Sequence, residues 1–233
     1  MMGSDMDEWV SRSGATRRQW LAHCTALVAA SGLAGLSAAA GPAQGATPRW
    51  TVLVVGDSLS AEYGLKRGSG WVALLERRLA ERRIPARVVN ASISGDTSSG
   101  GRSRLPALLK AHAPTHVILE LGGNDALRGL PLAMTRDNLA EMARQAKAAG
   151  ARVVVVGMQV PPNYGRRYGS DFAALFTTVA REQGAALVPF LLAGVADAPA
   201  AETLFQPDRI HPNEAAHPTM LANVWPVLEP LLK

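Results

Sequence analysis

Apolar and polar positions change their period repeatedly along this chain. Five short runs are dominated by apolar and β-branched residues: 51–55 (TVLVV), 86–90 (ARVVN), 115–121 (THVILEL), 151–157 (ARVVVVG) and 186–190 (ALVPF). Such runs suit strands of a parallel sheet that is covered on both faces. Between them the apolar residues recur at helical spacing. Val72, Leu75 and Leu79 share one face, and Leu139, Met142, Ala143 and Ala146 share another, followed by Gly150 where a helix C-cap is expected. A third helical pattern runs from Ser170, a suitable N-cap, to Gly184. The last begins near Pro218, whose missing N–H is harmless in a first turn, and bends at Pro226. The alternation predicts an α/β protein with a doubly wound, five-stranded parallel sheet in a three-layer α/β/α sandwich. Right-handed crossovers would place every strand-to-helix loop on one edge of that sheet.

The first residues do not share this rhythm. Residues 1–46 read as an export signal: a polar start with Arg17 and Arg18, a mild Ala/Leu/Gly/Ser run over 21–40, and small residues at Ala43, Gly45 and Ala46 for cleavage. TRRQWL at 16–21 resembles a twin-arginine signal. Residues 47–233 are then one domain, released as a periplasmic or secreted protein with no stable membrane insertion, and expected to be a monomer.

Composition narrows the chemistry. The one cysteine, Cys24, falls in the expected signal, which removes disulfides, thiolate metal sites and cysteine catalysis from the processed protein. Hydrophobic content of 48% with 18% charged residues fits a globular chain. The net charge of +5 raises the question of an anionic partner, but the 20 arginines among 24 basic residues are scattered. Arg77-Arg78 and Arg82-Arg83 alternate with Glu76 and Glu81, as on a solvated helix face. With no basic stripe and no interleaved aromatics, no nucleic-acid partner is expected. Arg166 and Arg167 fit either the steering of anionic head groups or a solvated surface pair.

Candidate chemistry begins where the first strand ends. Gly56 breaks the run, and Ser58 follows at the carboxyl end of the strand and near an expected helix start, the place where open α/β sheets bind ligands. A serine is a nucleophile there only if a base and an oxyanion site converge on it. In DRIHPN, Asp208 lies three residues before His211, a spacing that lets a carboxylate hold one ring nitrogen and leaves the other for a hydroxyl. His23, His112, His116 and His217 occupy signal, helix-end, strand and helix-start positions, where structural or exposed side chains are expected and not catalytic ones. Oxyanion donors are available from the Ser58 N–H, from the N–H of Gly95 beyond the second strand, and from the Asn124 amide, placed in a loop beyond the third. Asp57 and Asp125 are expected to brace their loops by local hydrogen bonds, and Trp71 to pack against the core.

The four blocks GDSLS (56–60), NASISGDTS (90–98), LGGND (121–125) and DRIHPN (208–213) resemble those of the SGNH (GDSL) hydrolases, in the family's order and spacing. RLPALLK (104–110), LRG (127–129) and PNYGRRY (162–168) are similar to the branch containing bacterial periplasmic arylesterases, acyl-CoA thioesterases and lysophospholipases. The resemblance implies the flavodoxin-like fold of that family and a serine hydrolase acting on carboxylic esters and acyl thioesters without cofactor or metal. It assigns Ser58 as nucleophile, Asp208 and His211 as the rest of a triad, and Ser58, Gly95 and Asn124 as the oxyanion hole. Leu127, Pro162 and Tyr164 would contact the acyl substrate, from loops at 126–132 and 158–164 that could form an acyl groove. Ala126, Gln159 and Val160 depart from the pattern of near relatives, which bears on chain-length preference. Ser60 stands where G-x-S-x-G would have glycine, which argues against the α/β-hydrolase superfamily. Other readings of the same residues are a glycan O-deacetylase or acyltransferase, a metal-dependent phosphoesterase built on Asp57, Asp125, Asp208 and His211, and an inactive lipid-binding module.

Overall fold

The computed structural model describes residues 48–233; the expected signal lies outside them. Five strands form one wholly parallel sheet: β1 (Trp50–Gly56), β2 (Ala86–Asn90), β3 (His116–Glu120), β4 (Arg152–Val156) and β5 (Ala186–Val188), in the order β2-β1-β3-β4-β5. Four fall within the runs anticipated from the apolar pattern, and β1 extends the fifth run, 51–55, by one residue at each end. β1 and β3 are central, and Val52 to Val55 and Val117 to Leu119 are each 0% exposed. β2 pairs on one side only and is correspondingly half-exposed. β5 stops at Val188, where the next rung is lost: the Gly157 carbonyl accepts from the Leu191 N–H at 3.0 Å and not from residue 190.

Helices cover both faces. α1 (Trp71–Glu81) buries Trp71, Val72, Leu75 and Leu79, and packs against the last helix, α6 (His217–Leu228). α2 (Ser98–His112), α4 (Leu132–Ala148) and α5 (Arg166–Gln183) pack in sequence on the other face. α4 buries Leu139, Met142, Ala143 and Ala146, the predicted stripe. The result is the expected three-layer sandwich. Because β1 lies between β2 and β3, chain direction across the sheet reverses there, and the loops after β1 and β3 open side by side into a crevice.

Four local expectations are corrected. Ser58 is followed by turns, with Ala61 N–H reaching Asp57 O at 3.0 Å, and the first helix starts only at Trp71. The loop assigned to Asn124 is instead a short helix, α3 (Gly123–Leu127). α2 ends at His112, where a helix end is expected, but its start is not: it forms despite Gly100, Gly101 and Pro106, with Thr97 capping it by accepting from Gly100 N at 3.3 Å. α5 begins at Arg166, after Gly165 at φ +87°, so Ser170 lies within it and does not cap it. Its far end at Gly184, in the left-handed region, is where the sequence puts it.

The histidines assigned structural roles on β3 and α6 have them. His116 is buried and its Nε2 lies 2.9 Å from Leu231 O. His217 accepts the Trp71 N–H on Nδ1 at 3.0 Å, capping α1 across the layer. Burial lowers both below the usual histidine range. No helix among the described residues is long and apolar enough to cross a membrane.

Candidate active site

Ser58 leaves the buried end of β1 on a turn whose floor is polar and closed. Gly56 pairs with Glu120 at the end of β3. A Cβ at position 56 would lie 2.7 Å from Glu120 Oε2 and 2.9 Å from Ser60 Oγ, so only glycine lets these groups approach. Ser60 Oγ donates to Glu120 Oε2 at 2.6 Å and accepts from Trp71 Nε1 at 3.2 Å. Ser60, Trp71 and Glu120 are at most 2% exposed. Burial, together with the Asp57 carboxyl beside it, raises Glu120 well above the usual carboxyl range. Glycine at position 60 would remove the hydroxyl that joins these groups.

His211 approaches from the opposite side of the crevice. Its Nε2 lies 2.8 Å from Ser58 Oγ, and its Nδ1 lies 2.6 Å from Asp208 Oδ2. Asp208 Oδ1 accepts the backbone N–H groups of Ile210 and His211 at 2.9 and 3.0 Å. Partial burial pushes the Asp208 carboxyl up, but these hydrogen bonds and the imidazole outweigh it and hold the pKa at about 2. The turn is closed by Gln206, whose N–H donates to His211 O at 2.7 Å and whose side chain donates to Tyr63 O and Pro212 O. The Tyr63 ring packs on the imidazole with centroids 4.4 Å apart.

The oxyanion candidates face the same crevice. Among the described residues neither the Ser58 N–H nor the Gly95 N–H donates to a protein acceptor. Gly95 takes φ +78°, and its carbonyl accepts from Arg128 Nη2 at 2.7 Å. Asn124 gives one amide N–H to Asp57 Oδ2 at 2.9 Å, which leaves the second for a ligand. Burial pushes Asp57 up to about 6, against the hydrogen bonds from Leu59 N–H and Asn124. The bracing role expected of Asp57 and Asp125 is therefore longer in range than the sequence suggested. Asp125, fully buried, accepts from the Ser98 N–H at 2.8 Å, from Ser98 Oγ, and from Thr135 Oγ1 at 3.2 Å. That ties the start of α2, just beyond the Gly95 loop, to the helix bearing Asn124.

These loops enclose a cavity of about 910 Å³ with Ser58, Gly95, Asn124 and His211 in its lining. Leu127, Pro162 and Tyr164 line it as expected, as do Gln159 and Val160; Ala126 is buried beneath. A wall that sequence reasoning missed comes from the segment after β5, with Phe190, Leu192 and Phe205. Phe190, placed by the apolar pattern at the end of a strand, lies beyond β5, which ends at Val188. Of the four large hydrophobics most exposed in the described residues, Tyr63, Leu127 and Ile210 all stand on this lining. Arg166 and Arg167 do not reach it; the arginine that does is Arg209. Among the described residues no three His, Cys, Asp or Glu side chains gather as a metal site. Asp125 in particular is turned away into the Ser98 network.

Comparison with known proteins places this geometry. The model of the GDSL-like lipase/acylhydrolase family matches residues 54–218. The chain is 54% identical to "Esterase TesA" of Pseudomonas aeruginosa over 182 residues, covering 78% of this chain and 89% of that protein. It is 42% identical to "Thioesterase 1/protease 1/lysophospholipase L1" of Escherichia coli over 182 residues, 78% of this chain and 85% of that protein. A solved structure described as the crystal structure of TesA, 54% identical, superposes with a TM-score of 0.75, covering 78% of this chain and 99% of that one.

Proposed function

The chain belongs to the GDSL-like lipase/acylhydrolase family, and we propose that it is a serine esterase and thioesterase that cleaves medium- and long-chain acyl esters through an acyl-enzyme on Ser58. One observation supports this most: the hydrogen-bonded row Ser58–His211–Asp208 opens directly into a large cavity walled by apolar side chains. A site for acetyl groups alone needs no such volume, and the relatives named as esterase and thioesterase point the same way.

In this reading His211 Nε2 takes the Ser58 proton as Oγ attacks the ester or thioester carbonyl. Asp208 holds the ring in the tautomer that leaves Nε2 free and stabilises the imidazolium that forms. Charge on the carbonyl oxygen is met by the Ser58 and Gly95 N–H groups and the second Asn124 N–H, donors that are already in place before substrate arrives. The imidazolium then gives its proton to the departing alcohol or thiol, and water repeats the sequence to release the acid. Leu127, Pro162 and Tyr164, with Phe190 and Phe205, hold the acyl chain; the substrate is a small molecule, with no cofactor. Residues 1–46 act as a cleaved export signal, and the enzyme works as a periplasmic or secreted monomer.

The test is hydrolysis of a p-nitrophenyl ester series from acetate to palmitate by wild type and Ser58→Ala. Serine-dependent turnover that peaks at medium or long chains is expected. Activity confined to acetate, or surviving the substitution, would overturn the reading.

A further inference from the structure

Two hydrogen-bonded paths join Ser58 to His211. One is the direct contact between Oγ and Nε2. The other passes through Tyr63 and Gln206: the Tyr63 N–H donates to Ser58 O at 3.4 Å, Gln206 Nε2 donates to Tyr63 O at 2.9 Å, and the Gln206 N–H donates to His211 O at 2.7 Å. The ring of Tyr63, in the middle of this second path, packs on the imidazole with centroids 4.4 Å apart and planes tilted by 40°. Tyr63 is nonetheless 49% exposed, so burial is not what keeps an aromatic side chain there.

The chain on either side of Tyr63 is fixed. Glu62 takes φ +58°, a left-handed conformation that is unfavourable for a residue with a Cβ. Its carboxylate holds it there by accepting the Gly68 and Gly70 N–H groups at 3.0 and 2.8 Å, which pins the segment to the start of α1. Gly64 takes φ +69°, and a Cβ there would collide with the Gln206 amide. That amide cannot retreat, since its bonds to Tyr63 O and to Pro212 O at 3.1 Å hold it. Strain on one side and close packing on the other deliver one ring to one imidazole.

The imidazole has a use for it. Both of its hydrogen bonds are made at ring nitrogens, in directions that lie in the ring plane, so the ring can still turn about the line between them. A contact on the face opposes that turn. An aromatic face also attracts the positive charge that the imidazole takes on as Ser58 attacks.

We propose that Tyr63 is a positioning residue for the base: its ring holds the His211 imidazole in the plane that serves Ser58 and Asp208 together, and steadies the charge formed there in each step. This rests on the Ser58 reading above.

The test begins with Tyr63→Leu, which keeps apolar bulk without the aromatic face. It should lower kcat on p-nitrophenyl decanoate by about 10-fold and leave KM within about twofold, because the contact bears on the base and not on the substrate. Tyr63→Phe restores the face and should recover most of the loss. The Tm of both should match wild type, as expected at an exposed position. A second readout needs no turnover. The proton between His211 Nδ1 and Asp208 Oδ2 should give a downfield 1H NMR resonance that is absent from His211→Ala, sharp in wild type and Tyr63→Phe, and broadened by solvent exchange in Tyr63→Leu. An unchanged kcat, a loss carried by KM alone, a phenylalanine variant as impaired as the leucine one, or a resonance that stays sharp in Tyr63→Leu would overturn the proposal. Ser58→Ala on the same ester separates the two levels: if activity survives it, the Ser58 reading fails, and the resonance alone then decides whether Tyr63 holds the ring.

Discussion

Ser58 stands at the end of a strand whose last five residues are buried, on a floor made by Glu120, Ser60 and Trp71 from three separate stretches of chain. His211 stands on a turn with Asp208, their side chains 18% and 37% exposed, and most of what holds it comes from residues 205–213. The same 2.8 Å contact joins a support that is long in range and closed to water with one that is local and open. The floor is part of the core, so damage there costs folding. The turn is attached to the core, so damage there should cost chemistry more than folding.

Substitutions at the contact itself should have the largest effect. Ser58→Ala and His211→Ala should each lower kcat by about a million-fold with an unchanged Tm, and Asp208→Ala by about ten-thousand-fold, since the imidazole survives without its carboxylate. A Tm drop in His211→Ala would show that the turn is not independent of the core. Next is Asn124→Ala, expected to lower kcat on ester substrates by about 100- to 1,000-fold through loss of one oxyanion donor. Asn124 also binds Asp57, so a silent substitution would remove it from the hole altogether.

The floor should show the reverse pattern. Glu120→Ala leaves the Ser60 hydroxyl and the Asp57 N–H without a buried acceptor, and should cost about 2–3 kcal/mol in denaturant unfolding. Asp208→Asn should cost less than that, because its carboxyl is partly exposed and its hydrogen bonds are local. The last contrast is in pH dependence. The folded pKa of Asp57 is raised to about 6, so its contribution to stability is full below the usual carboxyl range near 4 and is lost as pH rises toward 6. That of Asp208 is lowered to about 2, so its contribution is full above about 4 and is lost as pH falls toward 2. Unfolding measured from pH 2 to 7 should show Asp57→Asn gaining on wild type between pH 4 and 6, and Asp208→Asn losing to it as pH rises from 2 to 4. Parallel curves would mean that neither carboxyl differs between folded and unfolded states.

The same contrast explains what could be read from the chain beforehand. The turn was legible because Asp208 and His211 are three residues apart and their partners are near neighbours. The strands were legible because β1, β3 and β4 are buried on both faces and contain little else but β-branched and aliphatic residues. The floor was not legible: Ser60 to Glu120 depends on the register that sets Gly56 opposite Glu120, sixty-four positions away. The Phe190–Phe205 wall belongs to a segment with no period of its own. The start of α2 was missed because Ser98 to Gly101 reads as a loop until Thr97 and Asp125 are seen to cap and anchor it.

For an engineer, the closed approach at Gly56 divides this scaffold into two zones. A side chain at position 56 must displace a carboxyl that is already bonded on the far side, so the zone beneath Ser58 offers no room for redesign. Around the mouth, Leu127, Pro162 and Ile210 are exposed and belong to no such network. Libraries aimed at new substrates should be confined to that rim, where variants can be screened for selectivity without first being screened for folding.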